Sequence, residues 1–364
     1  MPYEVPSVPV KVADSERWTG AIFTFLSTLL FGVSNVVMRY LTGPEYGIDQ
    51  YWALFYKEAI GLALLLPWLT FRLVQGRYRF TSFRLVCLLI LAAIICQLIG
   101  APLHVLGFAV IGLIITVPLV QSATLLGVAV LGFIIYGDSL SRKRKFAITI
   151  LIIAVSVLSI GKEMSAPAPS HGGSGMETGL FLLVAIGTII AGIAYAVYLV
   201  MLRHALRQNW KDENSAWLSF EVFRWVGHDY AQKTEGRPTE KVYSPFPVTL
   251  MMAIVFMVGI IIFAIFITSR QGVTGFYDVP SWSWPVILIS GVCNMLAFFF
   301  QIQGLRMTST VQASLIAVSQ MVILSLVGFW FFKEAINIIV MLGLGLTVYG
   351  VLLSAKPERP RNAC

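Results

Sequence analysis

Two neighbouring ionisable residues, Lys57 and Glu58, lie about seven residues into an apolar stretch that begins at Gln50. In a helix, a rise of about 1.5 Å per residue puts both roughly 10 Å beyond its start. A charge deep in hydrocarbon costs on the order of 3 kcal/mol, so each side chain must face a bundle interior or a wet cavity, unless it snorkels back to the headgroups. Adjacent helical residues point about 100° apart, so the two need not pair with each other. Facing a cavity, Lys57 can attract or hydrogen-bond a solute, with a carboxylate or phosphate favoured, and Glu58 can take part in proton coupling.

Uncharged polar side chains mark the other apolar stretches: Asn35, Gln97, His104, Gln121, Ser122, Tyr195, Tyr198, Asn294, Gln301, Gln303, Gln312, Ser314, Ser319 and Gln320. Any one of them can simply knit two helices together, because an interhelical hydrogen bond in lipid contributes about 0.6 kcal/mol. His104 alone reads more readily as a hydrogen-bonded core residue than as a proton relay. As a set they concentrate in the third, fourth, eighth and ninth stretches, and one shared pocket is the simplest joint explanation. The expected solute-binding set is Asn35, Lys57, Gln97, His104, Gln121, Tyr195, Asn294, Gln301 and Gln320, with Glu58 as the proton-coupling candidate. Pro118 is a candidate kink beside that pocket. Asp138 and Glu334 read as structural markers at helix ends, and Cys87, Cys96 and Cys293 as small packing residues.

The sequence has no GxxxxGK[ST] phosphate loop, HExxH helix, GxSxG elbow or cysteine–histidine metal spacing. No catalytic residue, metal or cofactor is therefore expected, and the pattern argues against both an enzyme and an ATP-driven pump.

The elements that must position these residues are membrane helices. The chain of 364 residues is 57% hydrophobic and 12% charged, far below the roughly 25% charged of soluble domains. Ten spans are expected: 18–41, 50–74, 83–105, 108–136, 146–161, 179–202, 247–268, 284–302, 310–332 and 335–353. The fifth is near the short limit for a span. Cys96, Gln97 and Gly107 recur 197 residues on as Cys293, Asn294 and Gly304, and Leu131-Gly132-Phe133 recurs 196 residues on as Val327-Gly328-Phe329. Five spans is an odd number, so a second copy would enter the bilayer from the opposite side. The fold expected is an all-α integral membrane protein of ten transmembrane helices in two inverted five-helix repeats.

Its parts are a cytoplasmic segment 1–17, a first repeat 18–161, a Pro/Gly/Ser-rich linker 162–178, a second repeat 179–355 that includes a loop 203–246, and a tail 356–364. Within that loop, residues 214–231 read as an interfacial amphipathic helix. Assigned to alternate sides, the loops carry 21 Lys and Arg on one side and 4 on the other, which places both termini in the cytoplasm by the positive-inside rule. The net charge of +8 is thus spread along membrane edges and does not call for nucleic acid.

Phe-Gly-Val-Ser-Asn-Val-Val-Met-Arg at 31–39 resembles the opening signature of the drug/metabolite transporter superfamily, and Lys57 falls where EamA-type members usually carry an Arg. Residues 314–321, leading to Gly328 and Phe-Phe-Lys-Glu at 331–334, are similar to the ninth helix of the superfamily's glucose/ribose and rhamnose permease branch. Asp138, where the first repeat usually has Glu, departs from the pattern, as do the long loop after the sixth span and a second repeat without the early basic residue. The resemblance implies a secondary transporter, a permease moving a small polar metabolite such as a sugar across the cell inner (plasma) membrane by alternating access. An amino-acid or drug/metabolite exporter of the same fold is the alternative, and a non-transporting membrane scaffold or receptor-like protein is the rival of another class. The partners expected are a small-molecule substrate, the lipid bilayer and a coupling proton or ion, with a homodimer left open.

Overall fold

The computed structural model describes residues 14–74, 83–136, 174–206, 248–276, 280–307, 319–334 and 337–355, together with helical positions among 146–157 and at 313, 316 and 317. Among these residues the chain forms helices joined by short turns, with no strand. The helices are α1 (Asp14–Thr42), α2 (Gln50–Val74), α3 (Phe83–Ile94), α4 (Ala101–Val110), α5 (Leu113–Tyr136), α6 (Ser174–Leu206), α7 (Val248–Gln271), α8 (Ser283–Met307), α9 (Ser319–Trp330) and α10 (Ile338–Ala355). A π turn, Ile95–Gly100, joins α3 to α4 in one continuous span. Seven helical segments are long and apolar enough to cross a bilayer, and two shorter ones, Ser319–Trp330 and Ile338–Gly350, are also apolar. The chain is a multi-pass membrane protein.

Unlike that of a water-soluble bundle, the outer surface is apolar as well as the core, and hydroxyls are buried between helices. Large apolar side chains such as Ile186, Ile190, Ile193, Ile261, Ile265 and Leu288 point outward, while Thr24, Ser27, Ser34, Thr188 and Ser290 are buried. In hydrocarbon there is no hydrophobic force between helices, so close packing and hydrogen bonds hold them together. Ser27 Oγ donates to the Ala297 carbonyl at 2.8 Å, the Ser34 and Ser290 hydroxyls meet at 2.9 Å, and Thr124 Oγ1 donates to the Gly192 carbonyl at 3.0 Å. Glycines set the approach. A Cβ on Gly192 would stand 2.5 Å from the Val120 carbonyl and 2.6 Å from Ala123 Cβ, so only glycine lets α6 lie this close to α5.

The packing is reciprocal. α1 lies along α8, and α6 lies along the α3–α4 span, so spans early in the chain meet spans late in it. α2 packs on α7, and α5 packs on α9.

Several expected boundaries move. The third span does not end at Val105 but runs to Val110, and the break before α5 falls at Ile111–Gly112. Gly112 has φ +85°, a left-handed turn that glycine adopts freely, and the Gly107 carbonyl accepts from both Ile111 and Gly112 N–H groups. α1 starts at Asp14 and α6 at Ser174, earlier than the apolar runs themselves, because polar residues also fill first helical turns. α5 passes through Pro118 as a single helix. The fifth span expected at 146–161 is described only at scattered positions, and most of 162–178, Asp138, the interfacial helix expected at 214–231 and residues 356–364 lie outside the described residues.

If glycine is required at the α5–α6 contact, Gly192→Ala should lose about 1–3 kcal/mol of stability through overpacking. Gly345→Ala, where nothing lies within 4 Å of the added carbon, should leave the unfolding midpoint unchanged in the same detergent.

Candidate functional site

The buried polar side chains converge on a central cavity that encloses about 1180 Å³ of space, counting the open volume at its mouth. α1 supplies Thr24, Thr28, Phe31, Asn35 and Met38, a single stripe at spacings of three and four residues. α2 adds Leu54, Lys57 and Glu58; α5 adds Val120, Gln121 and Thr124; α6 adds Tyr195, Tyr198 and Leu199. α8 contributes Asn294, Phe298, Gln301 and Leu305, and α9 contributes Gln320.

The π turn delivers Cys96 and Gln97. Pro102 has no N–H for the usual bond to the carbonyl four residues back, and its ring crowds that carbonyl. The helix widens, and the Ala101 N–H donates to the Cys96 carbonyl instead. Widened turns of this kind re-aim side chains and occur often at functional positions. Here the result is that Gln97 and, beyond the turn, His104 both face the cavity.

Lys57 and Glu58 do pair, with Nζ 3.2 Å from Oε1. The 100° between their helix positions is bridged by the length of the lysine stem. The Glu58 side chain is 1% exposed and that of Lys57 12%. The amides of Gln97 and Asn294 flank the carboxyl. They fall short of hydrogen-bonding geometry at two atoms, since Glu58 Oε2 and Asn294 Nδ2 are both buried without a partner. Gly259 of α7 makes room for this cluster: a Cβ there would sit 3.1 Å from Gln97 Nε2 and from Glu58 Cγ.

Elsewhere on the wall, Gln121 Nε2 donates to Gln320 Oε1 at 2.8 Å, tying α5 to α9 at the cavity. His104 Nδ1 lies 3.3 Å from the Tyr195 hydroxyl, and its ring packs on Phe108 at 4.4 Å. Phe31, Phe298 and Tyr198 meet edge to face. His104 Nε2, the Tyr198 hydroxyl and Gln320 Nε2 are buried without partners. The cavity therefore offers unsatisfied donors and acceptors, while the charged residues on its described wall, Lys57 and Glu58, neutralise each other. Among the described residues no group of three His, Cys, Asp or Glu side chains is placed to hold a metal.

All ten expected residues line this one cavity: Asn35, Lys57, Glu58, Gln97, His104, Gln121, Tyr195, Asn294, Gln301 and Gln320. Ser122 is buried away from it. The hydroxyls of Thr24, Ser27 and Thr28 went unrecognised, although their spacing with Phe31 and Asn35 already marks one helix face. The π turn was signalled only by Pro102.

Fold and site together define a multi-pass helical membrane protein with a polar cavity built from both halves of the chain. Residues 239–356 match the model of the EamA-like transporter family. A solved structure described only as "Crystal structure of protein" has the same fold over most of both chains, with a TM-score of 0.54, 14% identity, and coverage of 93% of this chain and 96% of that one. No curated protein sequence matches the chain.

Removing one member of a buried ion pair typically costs about 3–5 kcal/mol, whereas replacing both often costs little. Lys57→Met should therefore lower the unfolding midpoint sharply, and Lys57→Met/Glu58→Gln should recover most of the loss. Thermal unfolding of the detergent-solubilised protein decides this, and a double variant as unstable as the single one would count against the pair as the stabilising element.

Proposed function

We propose that this chain is a secondary transporter that moves a small polar metabolite across the cytoplasmic membrane by alternating access. The observation that carries this reading is the convergence of ten polar side chains, from helices of both halves, on one cavity inside a bundle whose outer face suits lipid. Three further observations support it: the family match over residues 239–356, the likeness in fold over nearly the whole chain, and the reciprocal packing of the halves. In this reading the architecture is ten helices in two inverted five-helix repeats, with both termini in the cytoplasm.

The substrate is a neutral hydroxylated solute, of which a sugar is the natural example. A hydroxyl both donates and accepts, which suits a wall holding Asn294 Nδ2 and Gln320 Nε2 as free donors and Glu58 Oε2 as a free acceptor. The Lys57–Glu58 contact turns the reading away from a carboxylate or phosphate, because the cation already has its counter-charge. That same contact favours one second reading, an amino acid, whose two charges could be met by Lys57 and Glu58 in turn. In either case Gln97 and Asn294 orient the solute beside Glu58, and Glu58 takes up and releases the coupling proton.

Counterflow of labelled monosaccharides, amino acids and sugar phosphates into proteoliposomes, with and without a proton gradient, tests this. Uptake of a monosaccharide is expected, reduced at least tenfold in Gln97→Ala/Asn294→Ala while the protein remains folded. Flux of amino acids alone would select the second reading. Full flux in a variant lacking 210–240 is also expected, whereas a scaffold using that loop for partners would lose its phenotype.

A further inference from the structure

Near the end of α1, Met38, Leu54 and Val105 of the cavity wall belong to a buried apolar layer that also includes Phe263, Met321 and Leu324. Outside that layer lies a charged junction. Lys333 takes a left-handed conformation (φ 54°), and the Glu334 N–H donates back to the Gly328 carbonyl at 3.1 Å, which turns the chain after α9 and aims Glu334 inward. Its carboxylate accepts from the Leu113 N–H at 2.8 Å and the Ile114 N–H at 2.9 Å, the first turn of α5. Arg39, near the end of α1, donates through Nε to the same carboxylate at 3.2 Å, and its guanidinium lies over the Phe332 ring. Gly112, at the start of α5, leaves the space for this: a Cβ there would be 2.8 Å from the Glu334 carboxyl carbon.

We propose that the Glu334 carboxylate, held by Arg39 and by the start of α5, is the gate of the cavity at this face, which is the outer face by the distribution of basic residues. The inference rests on the alternating-access reading and adds to it the contact that must break. Three helices that line the cavity, α1, α5 and α9, meet at one side chain. α5 and α9 also meet at the cavity itself, through Gln121 and Gln320. A solute can leave toward this face only if these helix ends part, and they cannot part while one carboxylate holds both Arg39 and the α5 amides. A charge-assisted contact of this kind has two discrete states, made and broken, as a gate requires. A mere end marker would need only the helix it terminates.

Spin labels at Glu45→Cys and Trp330→Cys, both exposed positions, report the separation of the α1–α2 turn and the end of α9. The native cysteines Cys87, Cys96, Cys293 and Cys364 are replaced in this background, and distances are read by electron–electron resonance in liposomes without any solute. The parent should give a dominant short distance. Glu334→Gln should add a population longer by about 5 Å or more, the scale of a one-turn displacement. Arg39→Gln, which leaves the contact with the α5 amides in place, should do the same to a smaller extent. Unchanged distance distributions in both variants, with only a lower unfolding midpoint, would overturn the gate and leave Glu334 as a structural cap. A shifted distribution in a protein that shows no counterflow of any solute would uphold the gate and count against the transport reading instead.

Discussion

Hydrocarbon offers no hydrogen bonds, and nearly every feature of this molecule answers to that fact. The backbone satisfies itself by remaining helical along the membrane-crossing segments. Some hydroxyls, even on the cavity wall, bond back to carbonyls of their own helix, as Thr24 does to Gly20 and Thr28 to Thr24. Hydroxyls at helix contacts reach across, as Ser27 and Thr124 do. What remains, among the described residues, is a small group of buried side chains with an unsatisfied polar atom: Thr116, Ser122 and Ser325 lie apart, but Glu58, His104, Tyr198, Asn294 and Gln320 line the same cavity. Unsatisfied polarity is costly in a low dielectric, so its concentration in one place is the strongest physical reason to regard that place as functional.

Close approach of helices does the rest. Small residues stand where large ones would hold the bundle apart: Gly127 against Ala196, Gly291 against Ile60, and Gly107 against Thr116 and Thr188. Each of these contacts involves a helix that also lines the cavity. The spacing that gives van der Waals packing on one face of a helix therefore fixes where the amides and hydroxyls on its other face can point. Lys57 and Glu58 show the same economy, since α2 meets α8 through Ile60 and Gly291 one turn from the charges.

Most of the cavity was legible in the residues alone, because an amide or a charge within an apolar run has few ways to exist. Asn35, Gln97, Gln121, Asn294 and Gln320 all stand out on that ground. Four things were not legible. The Lys57–Glu58 pair was hidden because a helical projection fixes Cβ directions but not the reach of a four-carbon stem. The π turn at Ile95–Gly100 was hidden because hydropathy does not register a change in helical pitch, although Pro102 supplies its cause. The hydroxyls of Thr24, Ser27 and Thr28 were passed over because Ser and Thr satisfy themselves locally and are common in membrane helices. The boundary at Gly112 was missed for a related reason: an apolar corner and an apolar helix have the same composition, and only the left-handed glycine separates them.

The Glu334 junction bears on how the chain is made. Leu113 and Ile114 precede Glu334 by 221 and 220 residues. At roughly 5–20 residues per second of synthesis, the first turn of α5 exists for about 10–40 s before the carboxylate that caps it has been translated. During that interval its amide donors must be met by water or headgroups near the membrane surface. A polar contact made late in synthesis therefore secures one of the earlier helices, whose first turn is completed only when the C-terminal part of the chain arrives.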